Sequence, residues 1–248
     1  MNNREKIDFI TNWIMDYVSN MQNPAKTLVV GVSGGIDSAL TSSLCALTGI
    51  HTIAVRMPII NSCEIGSIKH CDWLKKSFNN VEVHEIDLTN IFEKFSNITK
   101  KIKFESELGY ANSKSRFRMI TLYQIASSTN GLVVGTGNKV EDFGVGFFTK
   151  YGDGGVDISP IADLTKSQVK ELATELNISD EILDAEPTDG LWDDGRTDEE
   201  QLGLTYQQIE DAMINKDSKY KKMYEEIRKK SLHKMKPIPV CIINDKDK

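Results

Sequence analysis

LVVGVSGGIDSAL, residues 28–40, joins an apolar β-branched run to a polar, glycine-containing turn and then to an apolar stretch of helical character. A run without polar alternation suits a parallel strand covered on both faces. The turn matches neither the G-x-G-x-x-G dinucleotide fingerprint nor the Gly-Lys-Ser/Thr ending of a Walker A loop. What remains is Ser33-Gly34-Gly35-Ile36-Asp37-Ser38 between a strand and a helix. There, backbone N–H groups, the Ser33 and Ser38 hydroxyls and the helix dipole face one small volume suited to phosphate. Asp37 admits two readings. It caps the helix, or it holds a divalent cation that separates its carboxylate from a bound polyphosphate.

Outward from this turn, strands and helices alternate. TLVVGV (27–32), HTIAVRMP (51–58), VEVHEI (81–86) and GLVVGTG (131–137) read as strands. Helical periodicity covers about 4–21, 63–78, 88–95, 164–176, 205–214 and 217–231, and a long helix emerges from an irregular start within 105–129. The βαβ rhythm gives an α/β fold, a doubly wound parallel sheet with flanking helices and a ligand site at the carboxyl ends of its strands. In the first helix, Ile7, Ile10, Trp13, Ile14, Tyr17, Val18 and Met21 recur at helical spacing and pack on the domain or on a partner subunit. Two polar, glycine-bearing stretches read as long active-site loops, mobile over about 142–155 and 188–203.

With 248 residues and 40% hydrophobic content, the chain can bury about 70–75% of the surface its unfolded form exposes. We therefore expect one domain over 1–248. Cys45, Cys63, Cys71 and Cys241 include no CxxC pair, so neither a disulfide framework nor a structural metal is indicated. Glu5, Asp8 and Asp16 interrupt the N-terminal apolar residues, and no run approaches membrane-spanning length. The expectation is a cytoplasmic protein in a reducing compartment, with no membrane contact. A formal net charge of −6 disfavours general nucleic-acid binding, which needs many Lys and Arg side chains against backbone phosphates.

SGGIDS after a buried strand resembles the pyrophosphate loop of the ATP pyrophosphatase superfamily, whose members adenylate a substrate and release pyrophosphate. Four further segments resemble the ammonia-dependent NAD synthetase family: SRFRMITLYQIA (115–126), VVGTGNKVEDFGVGFFTKYGDGGVDISPIADLTKSQV (133–169), EPTDGLWDDGRTDEEQLGLTYQQIED (186–211) and LHKMKPIP (232–239). The resemblance implies a Rossmann-like fold of the adenine nucleotide alpha-hydrolase type, and a homodimer. It also implies ATP- and Mg²⁺-dependent amidation of nicotinic acid adenine dinucleotide by ammonia, through an adenylated intermediate. On that resemblance Gly31, Val32, Ser33, Gly34, Gly35, Ile36, Asp37 and Ser38 meet the ATP phosphates, with Thr136, Lys166 and Thr188 as further ATP contacts. Asp37 and Glu141 are the implied magnesium ligands. Arg116, Lys150, Asp157, His233 and Lys234 are the implied contacts to the dinucleotide.

Arg116 and Arg118 stand two apart on a helix and face different ways, so one of them is structural, and Arg116 is assigned to substrate. Asp153 or Asp157 is a candidate to bind ammonium and deliver ammonia. The chain reads Thr136-Gly137-Asn138-Lys139 where many bacterial relatives read Thr-Asp-His, which offers Lys139 as an added phosphate contact. None of the cysteines has the context of a glutaminase nucleophile, so free ammonia is the expected nitrogen source. Rival readings are a tRNA-modifying or GMP-forming pyrophosphatase, and a nucleotide sensor that binds ATP without turnover.

Overall fold

The computed structural model describes residues 1–60, 65–188, 190–192 and 195–243. The start of the helix expected at 63, and Asp189, Asp193 and Asp194 of the second long loop, lie outside the described residues. Helix α1 (Asn3–Ser19) opens with a capping box in which Asn2 and Glu5 exchange side-chain and backbone bonds. There follow β1 (Thr27–Gly31), α2 (Ile36–Leu47), β2 (His51–Arg56), α3 (Ile65–Ser77), β3 (Val81–Glu85), α4 (Thr89–Lys101), α5 (Glu107–Thr129) and β4 (Gly131–Val133). A π-helical segment, Lys139–Val145, comes next. The chain closes with α6 (Lys166–Glu175), α7 (Asp180–Leu183), α8 (Asp198–Leu202), α9 (Tyr206–Ile214) and α10 (Lys221–Met235).

All strand pairings are parallel, in the order β3-β2-β1-β4. Thr27 of β1 sits opposite His51 on one side and Gly131 on the other. Chain order reverses between β1 and β4, and a crevice at such a switch point is where open α/β sheets bind ligands. Period-two alternation divides the strands between two layers. Leu28, Val30, Ala54, Leu132 and Val134 face a core shared with α1, α2, α3 and α6, while Val29, Ile53, Val55 and Val133 face Phe92 of α4 and Ala126 of α5. A third cluster joins Val140 and Val145 of the π-helical segment to Leu202, Tyr206, Ile209 and Tyr224. β3 is partly exposed and carries Glu82 and Glu85, charges that discourage further pairing at a sheet edge.

Several boundaries differ from the sequence expectation. α5 begins at Glu107, because the Ser106 side chain accepts from Gly109 N–H and starts the helix early. α4 runs on to Lys101 rather than stopping near 95. β4 ends at Val133, after which Val134 makes an isolated bridge with Ile158. Residues 142–145, expected within a mobile loop, belong to the π-helical segment. Its Asn138 N-cap accepts from Val140 and Glu141 N–H. The glycine-rich stretch that follows is irregular but docked on α5: a Cβ at Gly152 would lie 2.2 Å from Ser115 Oγ. On α1, Ile7, Ile10, Ile14 and Val18 are buried within the chain, whereas Trp13 and Tyr17 remain at the surface. Among the described residues no helix is long and apolar enough to cross a membrane.

Beneath the first turns of α2, the buried His70 of α3 places Nε2 2.9 Å from Ser42 Oγ. Burial lowers its pKa to about 4. A histidine depressed in the folded state takes up its proton only on unfolding between pH 6.5 and 4, so acidification over that window favours the unfolded chain. We predict that urea-unfolding stability declines from pH 6.5 to pH 4, and that His70→Gln flattens part of that decline.

Candidate active site

The turn after β1 is shaped by one backbone constraint and two hydroxyls. Gly34 adopts φ +90°, and a Cβ there would stand 2.9 Å from the Ser67 amide nitrogen, so only glycine fits without strain. Ser38 Oγ donates to the Gly35 carbonyl at 2.8 Å and accepts from Ser33 N–H at 3.2 Å. Ser33 Oγ accepts from Gly35 N–H at 3.3 Å. The serines thus hold the loop's curvature. Gly35 caps α2 without any side-chain hydrogen bond, which leaves the positive end of the helix to an external anion.

Three charged side chains from three elements meet at the mouth of this loop. Lys166, the first residue of α6, places Nζ 2.5 Å from Asp37 Oδ2 and 2.9 Å from Glu141 Oε1. Each of the three side chains is only 15% exposed. Asn138, fully buried, donates from Nδ2 to Asp37 Oδ1 at 3.0 Å while its Oδ1 accepts from Val140 and Glu141 N–H, both at 3.0 Å. One amide therefore fixes the distance between the two carboxylate-bearing segments. Tyr206 OH approaches Glu141 Oε1 at 2.5 Å and Asp198 Oδ2 at 3.0 Å, and Lys166 Nζ lies 4.9 Å from the centre of the Tyr206 ring.

The electrostatics follow from two buried carboxylates sharing one ammonium. Burial raises the Asp37 carboxyl above its ordinary range, with Lys166 opposing and Glu141 reinforcing the shift. Burial acts in the same sense on Glu141, but Lys166 and hydrogen bonds from Tyr206 and Asn138 prevail and lower it. Burial would discharge Lys166, yet the two carboxylates hold its pKa above that of a free lysine. A pair of carboxylates turned toward one positive charge fits Mg²⁺. Among the described residues no group of three metal-binding side chains exists, and magnesium is commonly held by one or two carboxylates with substrate phosphates and water completing its shell.

The other implied residues gather on the far side of the π-helical segment. Arg116 Nη2 donates to the Lys150 carbonyl at 3.3 Å, Lys150 Nζ to the His233 carbonyl at 3.4 Å, and Lys234 Nζ to the Phe148 carbonyl at 2.7 Å. The structure thus brings Arg116, Lys150, His233 and Lys234 together, while Arg118 turns to the Met57 carbonyl. Asp153 Oδ1 accepts from Ser115 Oγ and Thr149 N–H at 2.7 and 3.0 Å. Asp157 spends Oδ1 on Tyr123 OH and Oδ2 on Val133 N–H, closing the edge of β4. Thr136 lies just beyond β4, and Thr188 Oγ1 donates to the Arg196 carbonyl at 3.3 Å within its own loop. Lys139, offered as a phosphate contact, pairs with the exposed Asp163 at 2.8 Å.

Asn138, Tyr206 and Asp142 were not singled out as site residues by sequence. Burial, with Asp153, Glu141 and Asp37 nearby, raises the Asp142 carboxyl well above its usual range. A Cβ on Gly137 would overlap that carboxyl, so the turn after β4 keeps glycine there. A capping signal at Asn138, three residues before Glu141, was available in the sequence. Nothing local marks Tyr206, which reaches the site from 65 positions beyond Glu141.

A phosphate loop at the sheet's switch point, faced by paired acidic side chains, defines a nucleotide-binding α/β protein of the pyrophosphate-loop class. The family model described as NAD synthase matches residues 6–245, and the chain belongs to that family. The NH(3)-dependent NAD(+) synthetase of Alkaliphilus oremlandii is 38% identical, over 96% of this chain and 98% of the relative. That of Alkaliphilus metalliredigens is 36% identical, over 94% and 97%. Among solved structures, the NMN synthetase from Francisella tularensis superposes with a TM-score of 0.88 at 34% identity, covering 98% of this chain and 100% of the other. The NH3-dependent NAD synthetase from Campylobacter jejuni superposes at 0.77 with 25% identity, over 98% and 100%.

Removing the shared ammonium tests the charge balance directly. Lys166→Met leaves two buried carboxylates facing each other, and breaking a buried pair of this kind costs about 3–5 kcal/mol. We predict a lower melting temperature than wild type in metal-free buffer and partial recovery on adding millimolar MgCl₂, measured by differential scanning calorimetry.

Proposed function

We propose that this protein joins ammonia to the nicotinate carboxyl of nicotinic acid adenine dinucleotide, consuming ATP and yielding NAD, AMP and pyrophosphate. The observation that carries the reading is the meeting of Asp37, Glu141 and Lys166 at the mouth of an uncapped helix, in a chain whose family match runs from residue 6 to 245. In the first step a nicotinate oxygen attacks the α-phosphorus of ATP, and the bond to pyrophosphate breaks. In the second, ammonia attacks the acyl carbon of the mixed anhydride, AMP departs with the electron pair of the C–O bond, and the nitrogen sheds a proton.

Each residue contributes placement or charge. The segment Gly31, Val32, Ser33, Gly34, Gly35, Ile36, Asp37 and Ser38 receives the polyphosphate with backbone N–H groups and the α2 dipole. Thr136 and Thr188 flank the nucleotide. Asp37 and Glu141 would hold Mg²⁺, which supplies charge neutralisation to the phosphates when bound. Lys166 adds a second positive charge at the same place. Arg116, Lys150, His233 and Lys234 form the cationic end that receives the dinucleotide, with Asp157 bordering it. Asp157 has both oxygens engaged, whereas the Asp153 bonds use Oδ1 alone. Asp153 is therefore the better placed of the two to accept ammonium.

We also read the protein as one synthetase domain acting as a cytoplasmic homodimer. Ile98, Ile102, Phe104, Leu108 and Ile120 stand exposed on and between α4 and α5 and support a contact there. A second reading rests on the Francisella tularensis neighbour, named an NMN synthetase. The same carboxyl chemistry on the mononucleotide would give NMN.

Purified protein with ATP, Mg²⁺, ammonium and the deamido dinucleotide should form NAD, AMP and pyrophosphate in equal amounts, and glutamine in place of ammonium should give no turnover. Parallel reactions with nicotinic acid mononucleotide discriminate the second reading by the ratio of the two kcat/KM values. Pyrophosphate release with neither acceptor would defeat both. We further predict that Glu141→Gln lowers kcat by at least about 100-fold, since electrostatic groups at phosphoryl centres commonly contribute that much.

A further inference from the structure

Glu141 is held from behind as well as from in front. Its Oε1 receives Lys166 Nζ at 2.9 Å on the loop side and Tyr206 OH at 2.5 Å on the other. Tyr206 is the first residue of α9 and is buried, 7% exposed, in the cluster that includes Val140, Val145 and Ile209. The Thr205 capping box fixes the start of that helix, and Tyr206 N–H donates to Glu199 Oε1 at 2.9 Å. The phenol is thus pinned by its backbone, its ring and its oxygen. Behind it Asp198 Oδ2 lies 3.0 Å from the hydroxyl, and Asp198 N–H donates to the Pro187 carbonyl, next to Thr188. The phenol has one proton to donate, so Asp198 and Glu141 are rival acceptors, and the shorter contact is the one to Glu141.

We propose that Tyr206 is a positioning residue that sets the orientation of the Glu141 carboxylate toward a divalent cation. This rests on the reading of Glu141 as a cation ligand. An unconstrained glutamate has three rotatable side-chain bonds and loses their freedom on binding a metal. A carboxylate already fixed by a hydrogen bond has given up much of that freedom beforehand. Lys166 cannot fix it alone, because its ammonium is shared with Asp37. Hydrogen-bond partners of metal ligands typically contribute about 10- to 100-fold to metal affinity when removed. Tyr206→Phe deletes the hydroxyl and keeps the ring beneath Lys166.

The test is the dissociation constant of Mn²⁺, measured by electron paramagnetic resonance with saturating ATP, for wild type, Tyr206→Phe, Asp198→Ala, the double variant and Glu141→Gln. Tyr206→Phe should weaken Mn²⁺ by about 10- to 100-fold with the KM for the deamido dinucleotide unchanged. Asp198→Ala removes the rival acceptor and should leave Mn²⁺ binding unchanged or tighter, and the double variant should match Tyr206→Phe, since Asp198 acts on Glu141 only through the hydroxyl. Should Tyr206→Phe fail to fold, Asp198→Ala still tests the phenol's bond to Glu141, and weakened Mn²⁺ binding in that variant would overturn the proposal. Unaltered Mn²⁺ binding in Tyr206→Phe alongside weakened binding in Glu141→Gln would overturn the proposal alone. An effect of Asp198→Ala that adds to that of Tyr206→Phe would show Asp198 acting other than through the hydroxyl and would overturn the assignment of the phenol proton to Glu141. Unaltered binding in Glu141→Gln would remove the cation reading of the site together with the proposal.

Discussion

The site depends on one buried ammonium between two carboxylates. Asp37 comes from the helix after β1, Glu141 from the segment after β4, and Lys166 from α6, so a single ion cluster binds three separate parts of the chain. Desolvating such a group is expensive, and replacing buried ion pairs with apolar side chains often stabilises a protein. Its persistence here is therefore better explained by chemistry than by stability. Two buried carboxylates sharing one ammonium beside a helix N-terminus suit a place where positive charge and phosphate are handled together.

The scaffold explains why these groups arrive at one point. Chain reversal between β1 and β4 opens a crevice at their carboxyl ends, and the helical segments that follow those two strands carry Asp37 and Glu141 in their first turns. Asn138 then acts as a spacer: it caps one segment and donates to the acid on the other. Two short hydrogen-bonded paths, through Asn138 and through Tyr206, define where Glu141 can be. Arg116, Lys150 and Lys234 are assembled differently, by α5, the glycine-rich stretch and the last turn of α10, and donate to the backbone carbonyls of Lys150, His233 and Phe148. Those carbonyls are weak competitors for an anionic ligand, which leaves the side chains' charge available.

Much of the architecture was legible because local signals agreed with it. The β-branched run 28–30 is a fully buried strand, the turn Ser33–Ser38 is where the chain passes into a helix, and Thr165 caps α6 as its spacing suggests. What the sequence obscured was set by contacts distant along the chain. Among the glycines of the first long loop, Gly152 sits where Ser115 leaves no room for a Cβ, a constraint set by α5 rather than by its own neighbours. Asp157 accepts from Val133 N–H and Tyr123 OH, a tie to β4 and α5 that no local signal announced. Trp13 and Tyr17 extended the apolar stripe of α1 by periodicity, but the groove beneath that helix is filled by its isoleucines. Tyr206 carried no local mark, because its partner lies in another element.

The pairing of Thr27 with both His51 and Gly131 has a consequence for how the molecule comes into being. β1 is central, yet one of its two neighbours emerges from the ribosome about a hundred residues later, and closing so distant a contact is entropically slow. A nascent chain that has reached only β3 has a phosphate loop in sequence but one bare flank on the strand that carries it. Competence to grip a nucleotide therefore arises late in synthesis, after β4 docks and the elements that follow it supply Glu141 and Lys166.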